Sequence, residues 1–198
     1  MKLIFVRHAQ TFNNADGHIN GLLDDKTTFL TPQGIDEAIR LAHFSEKKNV
    51  NFIYSSPLHR AVQTASHVAD KLNLKIKTDE RLVECNFGSW EGKTKEETGN
   101  EWKKREKTRY TYVYPGDFKG MKGESYKKIF SRVKSFIDDI KKHKKDNVIL
   151  IVSHTGVILN VWKYFEKWSD ELIGKKEVSN HIAYIVDTQS RITEEVPY

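Results

Sequence analysis

The chain has 198 residues, 38% of them hydrophobic, and carries 33 Lys+Arg against 27 Asp+Glu for a net charge of +6. That length suits a single domain with a full core, and the spread of apolar residues along the chain excludes a disordered one. No apolar run approaches the roughly 20 residues of a membrane span, and the single cysteine, Cys85, excludes an internal disulfide framework and a Cys-based zinc site.

Lys2–Val6 is an apolar run that predicts a first strand. Thr31-Pro32 opens a helix, with Thr as N-cap, Pro at the first helical position and Ile35, Ala38, Ile39 and Ala42 as its apolar stripe. Phe52–Ser55 reads as a second strand. Ser56-Pro57 repeats the cap-plus-proline device and predicts a helix to about Leu72. Lys75–Lys77 is a short strand candidate. Residues Lys93–Gly123 show poor periodicity and read as an inserted excursion, a cap at about 93–123. Glu124–Lys142 is the clearest helix, with Tyr126, Ile129, Phe130, Val133, Phe136, Ile137 and Ile140 at three- and four-residue steps. Asn147–Val152 suits a strand buried on both faces, followed by a helix from about Thr155 to Phe165. Ala183–Asp187 and Arg191–Glu195 look like a closing hairpin. The alternation predicts an α/β three-layer sandwich, a mostly parallel central sheet flanked by helices.

In such a sheet, ligands sit beyond the carboxyl ends of the strands. Arg7-His8 follows the first strand, Ser55-Ser56-Pro57-Leu58-His59-Arg60 the second, and Ser153-His154-Thr155-Gly156 the Val148–Val152 run. Two histidines and two arginines thus converge at strand ends or helix starts. A lone histidine in such a place is more often structural; the coincidence points to an anion site. The surplus of Lys is scattered in pairs such as Lys47-Lys48 and Lys175-Lys176, which read as solvated faces, so no nucleic-acid and no membrane partner is expected. The start Met1-Lys2 leads straight into the strand, and together with the lone cysteine this predicts a cytoplasmic setting. Nothing in the sequence bears on oligomeric state.

The run Arg7-His8-Ala9-Gln10-Thr11, with Asn14, resembles the opening motif of the histidine phosphatase superfamily, also called phosphoglycerate mutase-like. The likeness continues through Leu30-Thr31-Pro32-Gln33-Gly34, Tyr54–Ala65, Leu82-Val83-Glu84, Phe87-Gly88, Trp90-Glu91-Gly92, Gly123-Glu124-Ser125 and Val152-Ser153-His154 with Gly156. Six ordered matches over nearly the whole chain make a specific signal. Two positions depart from the pattern. Ala9 stands where the family usually has Gly, a strain of about 1 kcal/mol if the backbone there is left-handed and none if only smallness matters. Thr155 stands where Gly is common, which bears on how the helix start meets phosphate.

The resemblance implies a phosphomonoesterase acting on small phosphorylated metabolites, with no cofactor and no metal. The alternative it implies is phosphoryl transfer of the phosphoglycerate mutase type; a phosphate-ligand or nucleic-acid binder is a third reading. Between Gly92 and Gly123 the chain is shorter than the caps of the mutases tend to be, which favours hydrolysis. His8 is the nucleophile by analogy: it must be neutral, with its second ring nitrogen donating to a fixed acceptor such as a backbone carbonyl. Arg7 and Arg60 suit fork-like grips on phosphate oxygens; Asn14 adds an amide donor and His154 a ring N–H at a helix start. Glu84 is the candidate acid for the leaving alkoxide and then base for water. Gly21 and Thr155 complete the substrate-binding set. Glu124 and Ser125 are placed at the mouth, where Glu is equally explained as a favourable helix-start charge. His18, His43, His59, His67, His143 and His181 read as surface or structural. The cationic residues Lys103, Lys104, Arg105, Lys107 and Arg109 of the cap, with Tyr110, Tyr112 and Tyr114, suit an acidic or sugar-like leaving group, and a basic loop explains them equally.

Overall fold

The computed structural model describes residues 1–142, 146–190 and 193–198. One six-stranded sheet forms its centre, in the order β3-β2-β6-β1-β7-β8. Strands β1 (Lys2–Arg7), β2 (Phe52–Ser55), β3 (Ile76–Thr78) and β6 (Val148–Ser153) run parallel; β7 (Ile182–Asp187) and β8 (Thr193–Pro197) close one side antiparallel. The expected sandwich is the observed one. Along β1, Leu3 and Phe5 enter one core with Ile149 and Ile151, while Ile4 and Val6 enter the other with Leu150 and Val152. This period-2 sorting makes the continuous apolar runs necessary, because both faces are covered. Helices α2 (Pro32–Lys47) and α3 (His59–Leu72) lie over the second core; α5 (Phe130–Ile140) and α6 (Thr155–Glu166) lie over the first.

Local signals explain several boundaries. The Thr31 hydroxyl accepts from the Gly34 N–H at 3.0 Å, and Pro32 takes the first turn of α2, as the sequence predicts. Ser56-Pro57 does not start α3. The helix begins at His59 with Leu58 as N-cap, and the Ser56 hydroxyl instead meets His154. The long helix expected from Glu124 begins only at Phe130. Before it, Glu124 pairs by its backbone with Asn86 and Tyr114, and the Lys127 N–H bonds the Tyr110 carbonyl. Tyr126 and Ile129 are therefore core residues without being helical. The hairpin falls near its expected place, but Arg191 and Ile192 lie outside the described residues, as does His143.

Residues 93–123 leave the sheet. They hold α4 (Asn100–Lys107) and the two-residue strands β4 (Asp117–Phe118) and β5 (Met121–Lys122). A four-residue helix, α1 (Phe12–Ala15), follows β1, and α7 (Asp170–Lys175) follows α6. Among the described residues no helix is long and apolar enough to cross a membrane.

Candidate active site

The sheet order puts β6 between β2 and β1, so their carboxyl ends lie side by side. The His8 N–H bonds the Ser153 carbonyl at 2.9 Å, and the Ser56 N–H bonds the Val152 carbonyl at 2.9 Å. Three strand ends are thereby fixed to one another before any side chain is placed. A cavity of about 190 Å³ opens above them, lined by Arg7, His8, Asn14, Gly21, Arg60, Glu84 and Thr155 and by a second group taken up below. That is smaller than the roughly 300–1,000 Å³ of sites for drug-sized ligands, so a compact ligand fits.

His8 is 3% exposed. Its Nδ1 lies 2.8 Å from the Ala9 carbonyl. A carbonyl only accepts, so Nδ1 carries the proton and Nε2 keeps its lone pair. Burial, then Arg60 and Arg7, hold the imidazole well below its usual range, against the Ala9 bond, so it is neutral near pH 7. The strand end is tied twice more: Asn180 Nδ2 donates to the His8 carbonyl at 2.6 Å, and the Ala9 N–H donates to Thr64 Oγ1 at 3.0 Å. Thr64 in turn donates to the Arg60 carbonyl at 2.7 Å, so one hydroxyl couples the nucleophile's strand to Arg60. Ala9 has no left-handed backbone and is 1% exposed; a methyl fits, and no strain arises.

Arg60 is fully buried. Nη1 donates to the Leu23 carbonyl at 2.9 Å, and Nη2 to the Gly21 carbonyl at 2.6 Å. Its Nε has no partner among the described residues. Burial brings the group down to about 10, still a cation at neutral pH. Arg7 is lowered too, by burial first, and gives Nη1 to the Val178 carbonyl at 3.3 Å. The Asn14 N–H is used by Thr11, the cap of α1, while its buried Oδ1 is unpartnered.

Glu84 is held by the backbone. Oε1 accepts from the Cys85 N–H at 2.8 Å and from the Gly156 N–H at 3.0 Å. A Cβ on Gly156 would stand 2.5 Å from that oxygen, which is why glycine occupies the second position of α6. The segment is pinned from two elements: Ser153 Oγ donates to the Leu82 carbonyl at 2.7 Å, and Arg132 of α5 donates to the Glu84 carbonyl at 3.0 Å. Burial pushes the Glu84 carboxyl up, opposed by the Cys85 N–H and by Arg60 and Arg7. The expected meeting of the α6 start with phosphate is thus partly corrected: the Gly156 N–H serves Glu84, and Thr155 alone of that turn lines the cavity.

His154 departs from the expected phosphate donor as well. It is fully buried behind His8, with ring centroids 5.3 Å apart, and does not line the cavity. Nδ1 lies 3.4 Å from Arg60 Nη2, which only donates. The proton of the neutral ring therefore sits on Nε2, 2.8 Å from Ser56 Oγ. Gly21 lines the cavity and contributes its carbonyl to Arg60. Glu124 accepts the Asn86 N–H at 3.2 Å and Ser125 accepts the Lys128 N–H at 3.2 Å; neither lines the cavity.

The second group of lining residues is His18, Ile19, Asn20, Phe87, Trp102, Arg105, Arg109, Tyr114 and Tyr126. His18 corrects a reading: its Nδ1 is buried without a partner and its ring faces the cavity. It sits in a turn with no periodicity to mark it. Arg105 stacks on Trp102 at 4.8 Å and donates Nε to Tyr114 Oη at 3.2 Å. Arg109 gives Nη1 to the Lys176 carbonyl at 2.8 Å and leaves Nε unpartnered. Among the described residues lining the cavity are four guanidinium groups and one carboxylate, Glu84.

Comparison with known proteins agrees with this arrangement. The model of the histidine phosphatase superfamily (branch 1) matches residues 3–194. Phosphoserine phosphatase 1 of Hydrogenobacter thermophilus is 33% identical over 155 residues, 78% of this chain and 71% of its own. Among solved structures, phosphoserine phosphatase from Entamoeba histolytica in complex with 3-phosphoglyceric acid is 29% identical with a TM-score of 0.79, covering 98% of this chain and 94% of that one. Bacillus stearothermophilus YhfR superposes with a TM-score of 0.85 at 23% identity over 99% of this chain and 95% of its own, a likeness of fold.

Proposed function

Because the chain belongs to the histidine phosphatase superfamily and is a phosphomonoesterase, we propose that it hydrolyses compact phosphorylated hydroxy acids through a phosphohistidine at His8. The observation that carries this reading is the charge of the cavity: four guanidinium groups against one carboxylate. With Glu84 carrying the proton it gives to the leaving group, and with the exposed Glu177 3.6 Å from Arg109 Nη1, the lining remains strongly cationic, which suits a dianionic phosphate plus a further carboxylate. Among the described residues lining the cavity, an ammonium group on the leaving alcohol would find no carboxylate but Glu84, which is engaged by two backbone N–H groups.

The steps follow from the geometry. Arg7, Arg60 and Asn14 grip the phosphate oxygens, with Arg60 offering the unpartnered Nε. His8 Nε2 attacks phosphorus, the N–P bond forms, and the ester P–O bond breaks. Glu84 gives its proton to the departing alkoxide. A water then attacks phosphorus, its proton goes to Glu84, and the N–P bond breaks to release phosphate and neutral His8. His154 supports this from behind: its Nε2–H is spent on Ser56, and its Nδ1 steadies Arg60. Arg105 and Arg109, from the cap at 93–123, receive the carboxylate of the leaving group. The cap is shorter than those of the family's mutases tend to be, and a mutase must exclude water, which supports hydrolysis over transfer. A cytoplasmic setting is part of the same reading and rests on the lone cysteine, buried and unpaired.

The test is a panel of phosphomonoesters on purified protein: phosphorylated hydroxy acids, phosphoserine, sugar phosphates and an aryl phosphate, with mutase turnover measured in parallel. The hydroxy acids are expected to give the highest kcat/KM. Equal or higher values for phosphoserine would remove the charge argument, and dominant mutase turnover would replace hydrolysis.

A further inference from the structure

The mechanism leaves the half-buried carboxylate of the Trp90-Glu91-Gly92 motif unused. Glu91 Oε1 accepts the Phe87 N–H at 2.8 Å and Oε2 accepts the Leu23 N–H at 3.0 Å; the Leu22 N–H bonds the same carboxylate. Burial pushes the carboxyl up to about 7 against three backbone donors and Arg60, so ionising it carries a desolvation cost even with both oxygens hydrogen-bonded. The reason for keeping it lies on the far side of the loop. The Leu22 N–H and the Gly21 carbonyl belong to one peptide group. That carbonyl accepts Arg60 Nη2 at 2.6 Å. A single peptide plane thus runs from carboxylate to guanidinium, with its N–H on the anion and its oxygen on the cation.

Two details fit no looser explanation. Gly21 has φ of +46°, and a Cβ there would collide with the Glu91 carboxylate, so the peptide can approach only because residue 21 lacks a side chain. Leu23 adds a second link through two successive peptide groups: its N–H goes to Glu91 and its carbonyl, in the next peptide, accepts Arg60 Nη1 at 2.9 Å. Aligned hydrogen bonds of this kind polarise one another and stiffen the whole chain. If the plane flipped, Arg60 would face an N–H and the guanidinium would turn.

We propose that Glu91 is a positioning residue for phosphate binding, acting through the Gly21–Leu22 peptide to aim the Arg60 guanidinium into the cavity. It touches no substrate. The proposal rests on the reading of Arg60 as a phosphate ligand, and the experiment separates the two. In Glu91→Gln one carboxylate oxygen becomes an NH₂ that faces backbone donors. The expected result is a fall in kcat/KM on an aryl phosphate of roughly 10- to 100-fold, the range for a charged hydrogen bond lost in a buried site. Inhibition by inorganic phosphate should weaken by a similar factor, while kcat at saturation falls less. Glu91→Asp, which keeps the charge, should recover part of the loss.

The deciding measurement is the double-mutant cycle with Arg60→Ala. If Glu91 works through Arg60, Glu91→Gln should change kcat/KM less than about 2-fold in the Arg60→Ala background, a strong departure from additivity. The same factor in both backgrounds would overturn the positioning role while leaving Arg60 a ligand. Loss of the Arg60→Ala effect itself would instead bring down the reading of Arg60. Should Glu91→Gln fail to fold, Gly21→Ala presses on the same carboxylate and must show the same dependence on Arg60; additive losses there overturn the proposal equally.

Discussion

The two halves of the cavity are built differently. The floor comes from the ends of β1, β2 and β6 and is buried, with His8 held by the Ser153 carbonyl and the Asn180 side chain, and Arg60 and Glu84 by backbone groups of other segments. The rim comes from residues 93–123. There α4 buries none of its residues completely, and Arg105 is held by stacking on Trp102 and by the phenols of Tyr114 and Tyr126. Burial is what moves the imidazole of His8 down and the carboxyl of Glu84 up, so the chemistry needs the floor's rigidity and dryness. Choosing a leaving group needs only charge and shape at an opening, which an excursion can supply.

The floor predicts the largest effect. His8→Ala should abolish both turnover and the acid-labile phosphoenzyme. His154→Ala should slow formation of the phosphoenzyme without moving it, because His154 only backs His8 and Arg60. Rapid quench with labelled substrate and mapping of the phosphate checks both. Label on His154, or a phosphoenzyme surviving in His8→Ala, would reverse the assignment.

Glu84→Gln should come next, with a loss of about 10²–10⁴-fold on alkyl phosphates and much less on nitrophenyl phosphate, whose leaving group needs no proton. The pH profile follows from the shifts. Neutral His8 is required, and its lowered pKa leaves it neutral down to well below its ordinary range. Protonated Glu84 is required too, and its raised pKa keeps the proton to higher pH than a free carboxylate. Cleavage of an alkyl phosphate should therefore fall as pH rises through the Glu84 pKa, and that alkaline limb should be missing in Glu84→Gln. A limb that persists in single-turnover measurements would remove Glu84 from the acid role.

At the rim, Arg109→Met with Arg105→Met should lower kcat/KM on carboxylated substrates by roughly 10-fold or more, as the loss of a charged hydrogen bond implies. An aryl phosphate, which asks nothing of the rim, should be cleaved nearly as before. Equal losses on both substrates would mean that the rim shapes the floor, and the division between them would fail.

The same division governs what could be read from the sequence. The strands of the floor announce themselves as apolar runs, and the polar residues after them are the ones that converge. What the sequence hid is tertiary. Asn180 bonds the His8 carbonyl across 172 positions, and Thr64 bridges β1 to α3; no local pattern marks either. Ser56 reads as a helix cap by every local rule, yet His154 takes its hydroxyl and α3 starts later. Tyr126 and Ile129 carry helical spacing, but backbone pairing of residue 124 with Asn86 and Tyr114 holds that stretch out of the helix. His18 was invisible because its turn has no period, and its part in the cavity is set by loops meeting at the mouth.

The smallest effect should come from Ala9, one of the two positions that depart from the family pattern. Ala9 follows the nucleophile, and its carbonyl fixes the His8 tautomer. Its backbone is not left-handed, so glycine there relieves nothing. Its methyl is buried in a small cluster with Leu30 and Ala38. Ala9→Gly removes that methyl and loosens the unfolded chain, and the two together should cost about 1–2 kcal/mol of stability. The carbonyl and the N–H to Thr64 remain, so kcat/KM should change less than about 3-fold, within what sub-ångström adjustment of an intact site allows. Thermal unfolding and steady-state kinetics on the same preparation separate the two. A stabilised protein would mean that the alanine backbone is strained after all. A large kinetic loss at modest destabilisation would mean that the methyl itself steers the His8 ring, and the floor would then owe its geometry to packing as well as to backbone hydrogen bonds.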